Sequence, residues 1–377
     1  MTKRRLFSPG PTEVPWQVSR QLAQPLIHHR TDEFRQIHRE LVEGLQWLMR
    51  TENPVLVLTS SGTGAMEAAA VNLTGPGDKV LVTVLGKFSQ RWKEIAEAYG
   101  LDVITVEATW GDPVPVEKVR EALETNPDVS AVFTTHAETS TGVLQDVKAM
   151  AELAHNHGAL IIVDGITSVG CEELETDEWG LDVVVGGAQK GVMTPPGLSY
   201  LAVSPAARER IEHREHPVYY FDLARALKSY KNWDTPWSPG IPLIIGMREA
   251  LVMMRAEGRE NILRRHARNS QATRAGVTAL GLRVLASVPA RCTTAVVIEN
   301  NRAESVKKYL VKKHGFQIAG GQARLKGKIV RIGHLGYYYE ADMVALMAAF
   351  ESTLFDLEII DSLGPGVEAM LEVYRGK

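Results

Sequence analysis

The chain has 377 residues, enough for one large domain and a smaller one. With 45% hydrophobic and 23% charged residues it can bury a sizeable core, and a net charge of −3 leaves no footprint for nucleic acid or an anionic membrane surface. Its two cysteines, Cys171 and Cys292, lie far apart and in no CxxC spacing, which argues against an iron–sulfur or structural zinc site and for a reducing compartment.

The first stretch, "MTKRRLFSPGPTEVP", is basic but has no apolar signal-peptide core, and no apolar run reaches membrane-spanning length, so a cytoplasmic protein is expected. "PVLVLTSSGTG" then reads as a strand and a turn, with "GAMEAAAVNL" as a helix carrying Met66, Ala69, Ala70 and Leu73 at helical spacing. "KVLVTVLG" is a strand, "SQRWKEIAEAYG" a helix ending at Gly100, and "LDVITVEA" a strand. "VSAVFTTHAETSTG" is a strand running into a polar loop, followed by the helix "VKAMAELAHNHG". "ALIIVDGITSVG", "LDVVVGGAQK" and "LSYLAVS" are further strands. Strands alternating with helices predict βα units around a mainly parallel sheet.

Beyond about residue 255 the texture changes. An Arg-rich helix, "NILRRHARNSQATRAGVTAL", leads to "LRVLA", "TTAVVIE", the helix "AESVKKYLVKKHG", the strand "KIVRIGHLG" and a closing helix, "EADMVALMAAFESTL". The expected organisation is an N-terminal segment over 1–16, a large domain over 17–255 and a small α/β domain over 256–377. The basic run "RRHAR" reads as a solvated helix face. The pairs His28/His29, His155/His157 and His213/His216 read as surface or structural histidines, since no HExxH or cysteine partner accompanies them, and no metal site is expected.

In an open parallel sheet, ligands bind beyond the carboxyl ends of the strands. Four such ends carry polar chemistry here. "SSGTGA" precedes a helix, whose N-terminus offers free N–H groups to an anion; it is neither a Walker loop nor a GxGxxG, and an ordinary turn explains it equally well. "THAETSTG" brings His136, Glu138, Thr139 and Ser140. Asp164 ends an apolar run, where capping a turn is the commoner role. Lys190 follows two glycines, and from that stretch alone a solvated loop lysine is the reading to prefer. Together the four ends supply an anion cradle, an acid for a pyridinium and an amine for an aldehyde, the set that pyridoxal 5′-phosphate (PLP) requires.

The ordered motifs "SPGPTEVP", "SSGTGAMEAAAVN", "THAETSTGV", "VDGITSVG", "GGAQKGVMTPPGLSY", "TPWSPGIPLIIGMREAL" and "VRIGHLG" span nearly the whole chain. In them the sequence resembles the class V aminotransferases of PLP fold type I, close to the alanine–glyoxylate and serine–pyruvate group. The resemblance implies an α/β fold, with a mainly parallel seven-stranded sheet in a large domain, a smaller C-terminal domain, and a homodimer with shared active sites. It further implies that Lys190 bonds to the cofactor's aldehyde and that Asp164 pairs with its ring nitrogen. Thr63, Gly64, Ala65 and Gln189 would line the phosphate, with Thr139 at the 3-hydroxyl side and Phe88 stacked on the ring. From the residues alone, Phe88 also reads as a core phenylalanine. Arg331 would clamp the substrate carboxylate and Gly10 would approach the substrate. Thr235 and Ser238 would serve the partner subunit's phosphate, although locally Ser238 reads as the cap of the helix that follows.

The implied activity is ping-pong transamination of a small neutral amino acid, alanine or serine, with glyoxylate or pyruvate. Two alternatives stand beside it. A cysteine desulfurase needs a nucleophilic cysteine on a mobile loop, whereas Cys292 in "PARCTTAVVIE" enters a strand directly. An accessory subunit of a soluble hydrogenase would need partners to supply its metal ligands.

Overall fold

The computed structural model describes residues 4–376. A seven-stranded sheet runs in the order Val55–Leu58, Ser199–Val203, Val183–Gly187, Leu160–Asp164, Ala131–Thr135, Lys79–Val84, Asp102–Glu107. Ser199–Val203 is antiparallel to both neighbours, and the five strands on its other side are mutually parallel. The central strands are Val- and Ile-rich because both faces are covered: every residue of Ala131–Thr135, Leu160–Asp164 and Val183–Gly187 is buried.

Side-chain alternation sends each strand to two apolar layers. Leu81, Val132, Ile161, Val163 and Val184 pack with helices Asp32–Met49 and Ile241–Glu257. Val80, Val82, Phe133, Ile162, Val183 and Val185 pack with helix Gly62–Leu73. Each of these fully buried aliphatic side chains contributes about 1.5–3 kcal/mol relative to exposure. Among the described residues, no helix is long and apolar enough to cross a membrane.

A second core gathers residues 272–374 around a three-stranded antiparallel sheet, Thr293–Val297, Ile329–Gly333 and Ala319–Gly320 in that order. Phe7 joins this core from the far end of the chain. The Phe7 N–H donates to the Gln317 carbonyl at 2.7 Å, and its own carbonyl accepts from the Gly333 N–H at 2.8 Å. The N-terminal segment is thereby drawn across the second sheet and toward the first.

Several expectations need correction. The helix Glu340–Asp356 does not close the chain, since Pro365–Tyr374 follows it and covers helix Arg259–Ala279. "RRHAR" is not simply a solvated face. His266 is fully buried and accepts the Gly336 N–H at 2.9 Å, while Arg265 pairs with Glu257 and donates to the Gly336 carbonyl at 2.7 Å. Ser238 caps nothing: helix Ile241–Glu257 starts after Gly240, whose N–H donates to Thr59 Oγ1 at 3.1 Å.

Candidate active site

The carboxyl ends of the parallel strands converge on Lys190. The strand Val183–Gly187 delivers it onto a turn, and the side chain points inward, with only 9% of the residue exposed. Its Nζ donates to the Pro9 carbonyl at 2.7 Å. The Thr12 N–H and hydroxyl bind the carbonyls of Gln189 and Lys190, both at 3.1 Å, so the segment around Pro9–Thr12 straps the lysine. Gly10 stands within this strap at φ +115°, where an added Cβ would lie 2.2 Å from Lys190 Nζ. Burial, with the Arg331 charge adding to it, pushes the Lys190 amine down to about 8.

Asp164 ends the neighbouring strand, in register with Val185. Its Oδ1 accepts the Ile166 N–H at 2.8 Å. Burial pushes its carboxyl up to about 7, against the pull of that hydrogen bond, and the buried Glu138 adds to the rise. The amine is thus drawn down and the acid drawn up, and the charges of Lys190 and Asp164 act on each other across the two strand ends.

Phe88 is not the core phenylalanine that the residues alone allowed. It is half-buried at the start of helix Lys87–Ala98, and Lys190 Nζ lies 5.9 Å from its ring centroid. Thr63, Gly64 and Ala65 form the first turn of helix Gly62–Leu73, the end of a helix where N–H groups lack intrahelical partners; that of Gly64 donates to the Ser61 carbonyl at 2.8 Å. Gln189 Oε1 is buried without a hydrogen-bond partner.

Arg331 reaches in from strand Ile329–Gly333. Its Nη1 donates to the Thr139 carbonyl at 3.0 Å and its Nε to the Gly320 carbonyl at 2.9 Å. Thr139 Oγ1 in turn shares a 2.6 Å hydrogen bond with Thr167 Oγ1. Among the described residues no carboxylate pairs with Arg331, and burial lowers its guanidinium to about 10. The nearby charge of Glu138 works against that lowering.

Within one chain no hydrogen bond joins Thr235 or Ser238 to this cluster. Thr235 Oγ1 donates to the Trp237 carbonyl at 2.8 Å, and the Thr235 carbonyl accepts from Arg30 at 2.8 Å. Exposed Ser238 lines a separate hollow with Tyr220, Phe221 and Trp237.

Two residues gain a place that sequence reasoning did not give them. Glu138 is fully buried and accepts the N–H groups of Ser89 at 2.7 Å and Ser140 at 3.0 Å, with the Ser140 hydroxyl at 2.6 Å. It thus fixes the start of the helix that carries Phe88 to the loop that carries Thr139. Arg91 donates from Nη1 to Thr63 Oγ1 at 3.0 Å, at the mouth of the N–H cradle. His136, also at a strand end, is held neutral: burial pushes it down to about 3. His155 pairs with Asp182 at 3.0 Å, a structural contact.

Comparison with known proteins identifies the family and the fold. The aminotransferase class-V family matches residues 6–345. A *Synechococcus* protein named soluble hydrogenase, small subunit, is 42% identical, with 98% of each chain covered. The L-aspartate–glyoxylate aminotransferase of *Paracoccus denitrificans* is 36% identical over 98% of this chain and 96% of its own. Among solved structures, the alanine–glyoxylate aminotransferase of *Nostoc* superposes with a TM-score of 0.89 at 31% identity, covering 94% of this chain and 96% of that one. The fold is that of the PLP fold type I enzymes, and the chain belongs to the class-V aminotransferases.

Proposed function

We propose that the protein transfers an amino group from a small neutral amino acid, alanine or serine, to glyoxylate or pyruvate, using PLP held at Lys190. The observation that carries this reading is the juxtaposition of a buried amine of lowered pKa, a buried acid of raised pKa and a buried arginine without a carboxylate partner. The cluster fits PLP: an amine for its aldehyde, Asp164 for its ring nitrogen, Phe88 for its ring face, and the N-terminal turn at Thr63–Ala65 with the orphaned Gln189 for its phosphate. Bound there, the cofactor would supply an electron sink for negative charge developing at the substrate's α-carbon.

The chain's own residues do the rest. Arg331 orients the amino acid by its carboxylate and so aims the Cα–H bond. With PLP bound, the Lys190 Nζ would take the proton from the substrate's α-carbon and hold it for return, a role suited to an amine near pKa 8. Asp164 keeps a positive charge fixed opposite itself. Thr139 holds Arg331 through its carbonyl, and the strap around Gly10 closes one side of the pocket against water. We take the residues 17–255 as the unit that holds the cofactor, 256–377 as the unit that brings Arg331, and 1–16 as the strap. The working form in this reading is a homodimer in which the Thr235–Ser238 loop completes the partner's site.

The cations of the cluster suit a neutral donor. Arg331 would serve the α-carboxylate and Arg91 stands beside the Thr63 turn, and among the described residues of one chain neither is spare for a side-chain carboxylate. The 42% identity to the hydrogenase-named protein favours a second reading, an accessory subunit of a redox complex. One experiment separates them. Purified protein is given PLP, glyoxylate and each of alanine, serine and aspartate, and glycine is measured. The proposal expects bound cofactor and glycine formation with alanine or serine well above aspartate. Faster aspartate turnover overturns the donor assignment; no cofactor binding and no glycine overturns the enzyme reading in favour of the accessory one.

A further inference from the structure

Arg91 lies on helix Lys87–Ala98, one turn after Phe88, so its guanidinium covers that ring, with Cζ 5.1 Å from the centroid. Its Nη1 donates to Thr63 Oγ1 in the first turn of helix Gly62–Leu73. Among the described residues no carboxylate lies within ion-pairing distance of Arg91, although most of the partly buried arginines here have one: Arg214, Arg259 and Arg265 pair with Asp222, Glu175 and Glu257. The nearby Glu67 is engaged by the Tyr99 hydroxyl, and Glu138 is occupied by N–H and hydroxyl groups.

A guanidinium beside a helix N-terminus is an unfavourable placement. The helix dipole already concentrates positive charge there, and Lys190 Nζ, 5.9 Å from the centroid of the same Phe88 ring, is a further cation when protonated. The cluster gains stability only when an anion enters it. We infer that Arg91 is a phosphate-charge partner of the cofactor site: it binds the phosphate of PLP together with the N-terminal turn of helix Gly62–Leu73, and makes the site select the phosphorylated over the unphosphorylated cofactor. Thr63 is the swivel. Its hydroxyl holds the guanidinium in place before the anion arrives, leaving the remaining N–H donors for phosphate oxygens.

This inference rests on the PLP reading above, and the test keeps the two apart. Cofactor-free protein is titrated with PLP and with pyridoxal, which has the same aldehyde and ring but no phosphate, and dissociation constants are read from absorbance. Wild type, Arg91→Met and Arg91→Lys are compared, with thermal unfolding of each cofactor-free protein as the folding control. Arg91→Met is expected to weaken PLP about tenfold to a hundredfold, the scale of one lost charge-assisted hydrogen-bonding group, and to leave pyridoxal unchanged. Arg91→Lys keeps the charge but not the fork, and should fall between. Unchanged PLP affinity in a folded variant overturns the inference. Equal weakening of PLP and pyridoxal also overturns it, because Arg91 would then act through Phe88. Should Arg91→Met not fold, Arg91→Lys carries the same comparison. Failure of wild type to bind either compound sinks the PLP reading itself.

Discussion

Gly10→Ala isolates the strap that holds Lys190. The new Cβ would lie 2.2 Å from Lys190 Nζ, 2.4 Å from Cδ and 2.5 Å from Cε, at a φ of +115° that L side chains rarely adopt. The obstacle is the far end of a flexible side chain, so the lysine yields before the backbone does. Swinging away breaks the 2.7 Å hydrogen bond to the Pro9 carbonyl and moves the amine by an ångström or more. The backbone conformation alone costs about 1–3 kcal/mol. Misplacing a reacting group by about 1 Å costs on the order of a hundredfold in rate. Gly77→Ala is the matched control, since Gly77 has φ +89° with nothing within 4 Å of its added Cβ. Both variants should lose about 1–3 kcal/mol in urea unfolding, while only Gly10→Ala loses single-turnover keto-acid formation. A Gly10→Ala rate within about threefold of wild type, under about 0.7 kcal/mol of barrier, would refute the placement of Gly10 against the reacting amine.

Asp164→Asn should keep the cofactor but slow turnover by orders of magnitude, because an amide cannot balance a pyridinium charge; a loss smaller than about tenfold, or roughly 1.4 kcal/mol, contradicts the role. Arg331→Lys should reduce kcat/KM for alanine and serine while the cofactor's visible band survives, since a point charge does not replace a planar fork; unchanged kcat/KM removes the clamp. Lys190→Ala and Ser238→Asp subunits, each inactive as a homodimer, should regain up to half the activity per mixed dimer, because trans sharing collects both lesions in one site. Well-exchanged mixed dimers that stay inactive place the Ser238 hydroxyl outside the partner's site.

The strand ends were legible because burial is abrupt there. Val183–Val185 and Leu160–Val163 are unbroken apolar runs, so the polar residues that follow them, Lys190 and Asp164, had to emerge at one edge of the sheet. Glu138 was not legible as a brace. Its partners Ser89 and Phe88 lie about fifty positions away, and no local pattern announces a carboxylate that caps a distant helix. Arg91 had a signal in its i,i+3 spacing from Phe88, but its contact with Thr63 depends on how two helices pack. The first long helix, Asp32–Met49, went unread, although Thr31, whose hydroxyl accepts the Phe34 N–H, and Asp32 and Glu33 in the first turn are signals for its start. His266 misled because a basic neighbourhood looks solvated even when one side chain turns inward.

The account turns on Lys190 as the residue that bonds to the cofactor. Borohydride reduction of the PLP-loaded protein, followed by peptide mass spectrometry, tests it directly. The account predicts one modified lysine, Lys190, with no trapping and no turnover in Lys190→Ala. Modification at another lysine, or near-normal transamination by Lys190→Ala, would contradict it.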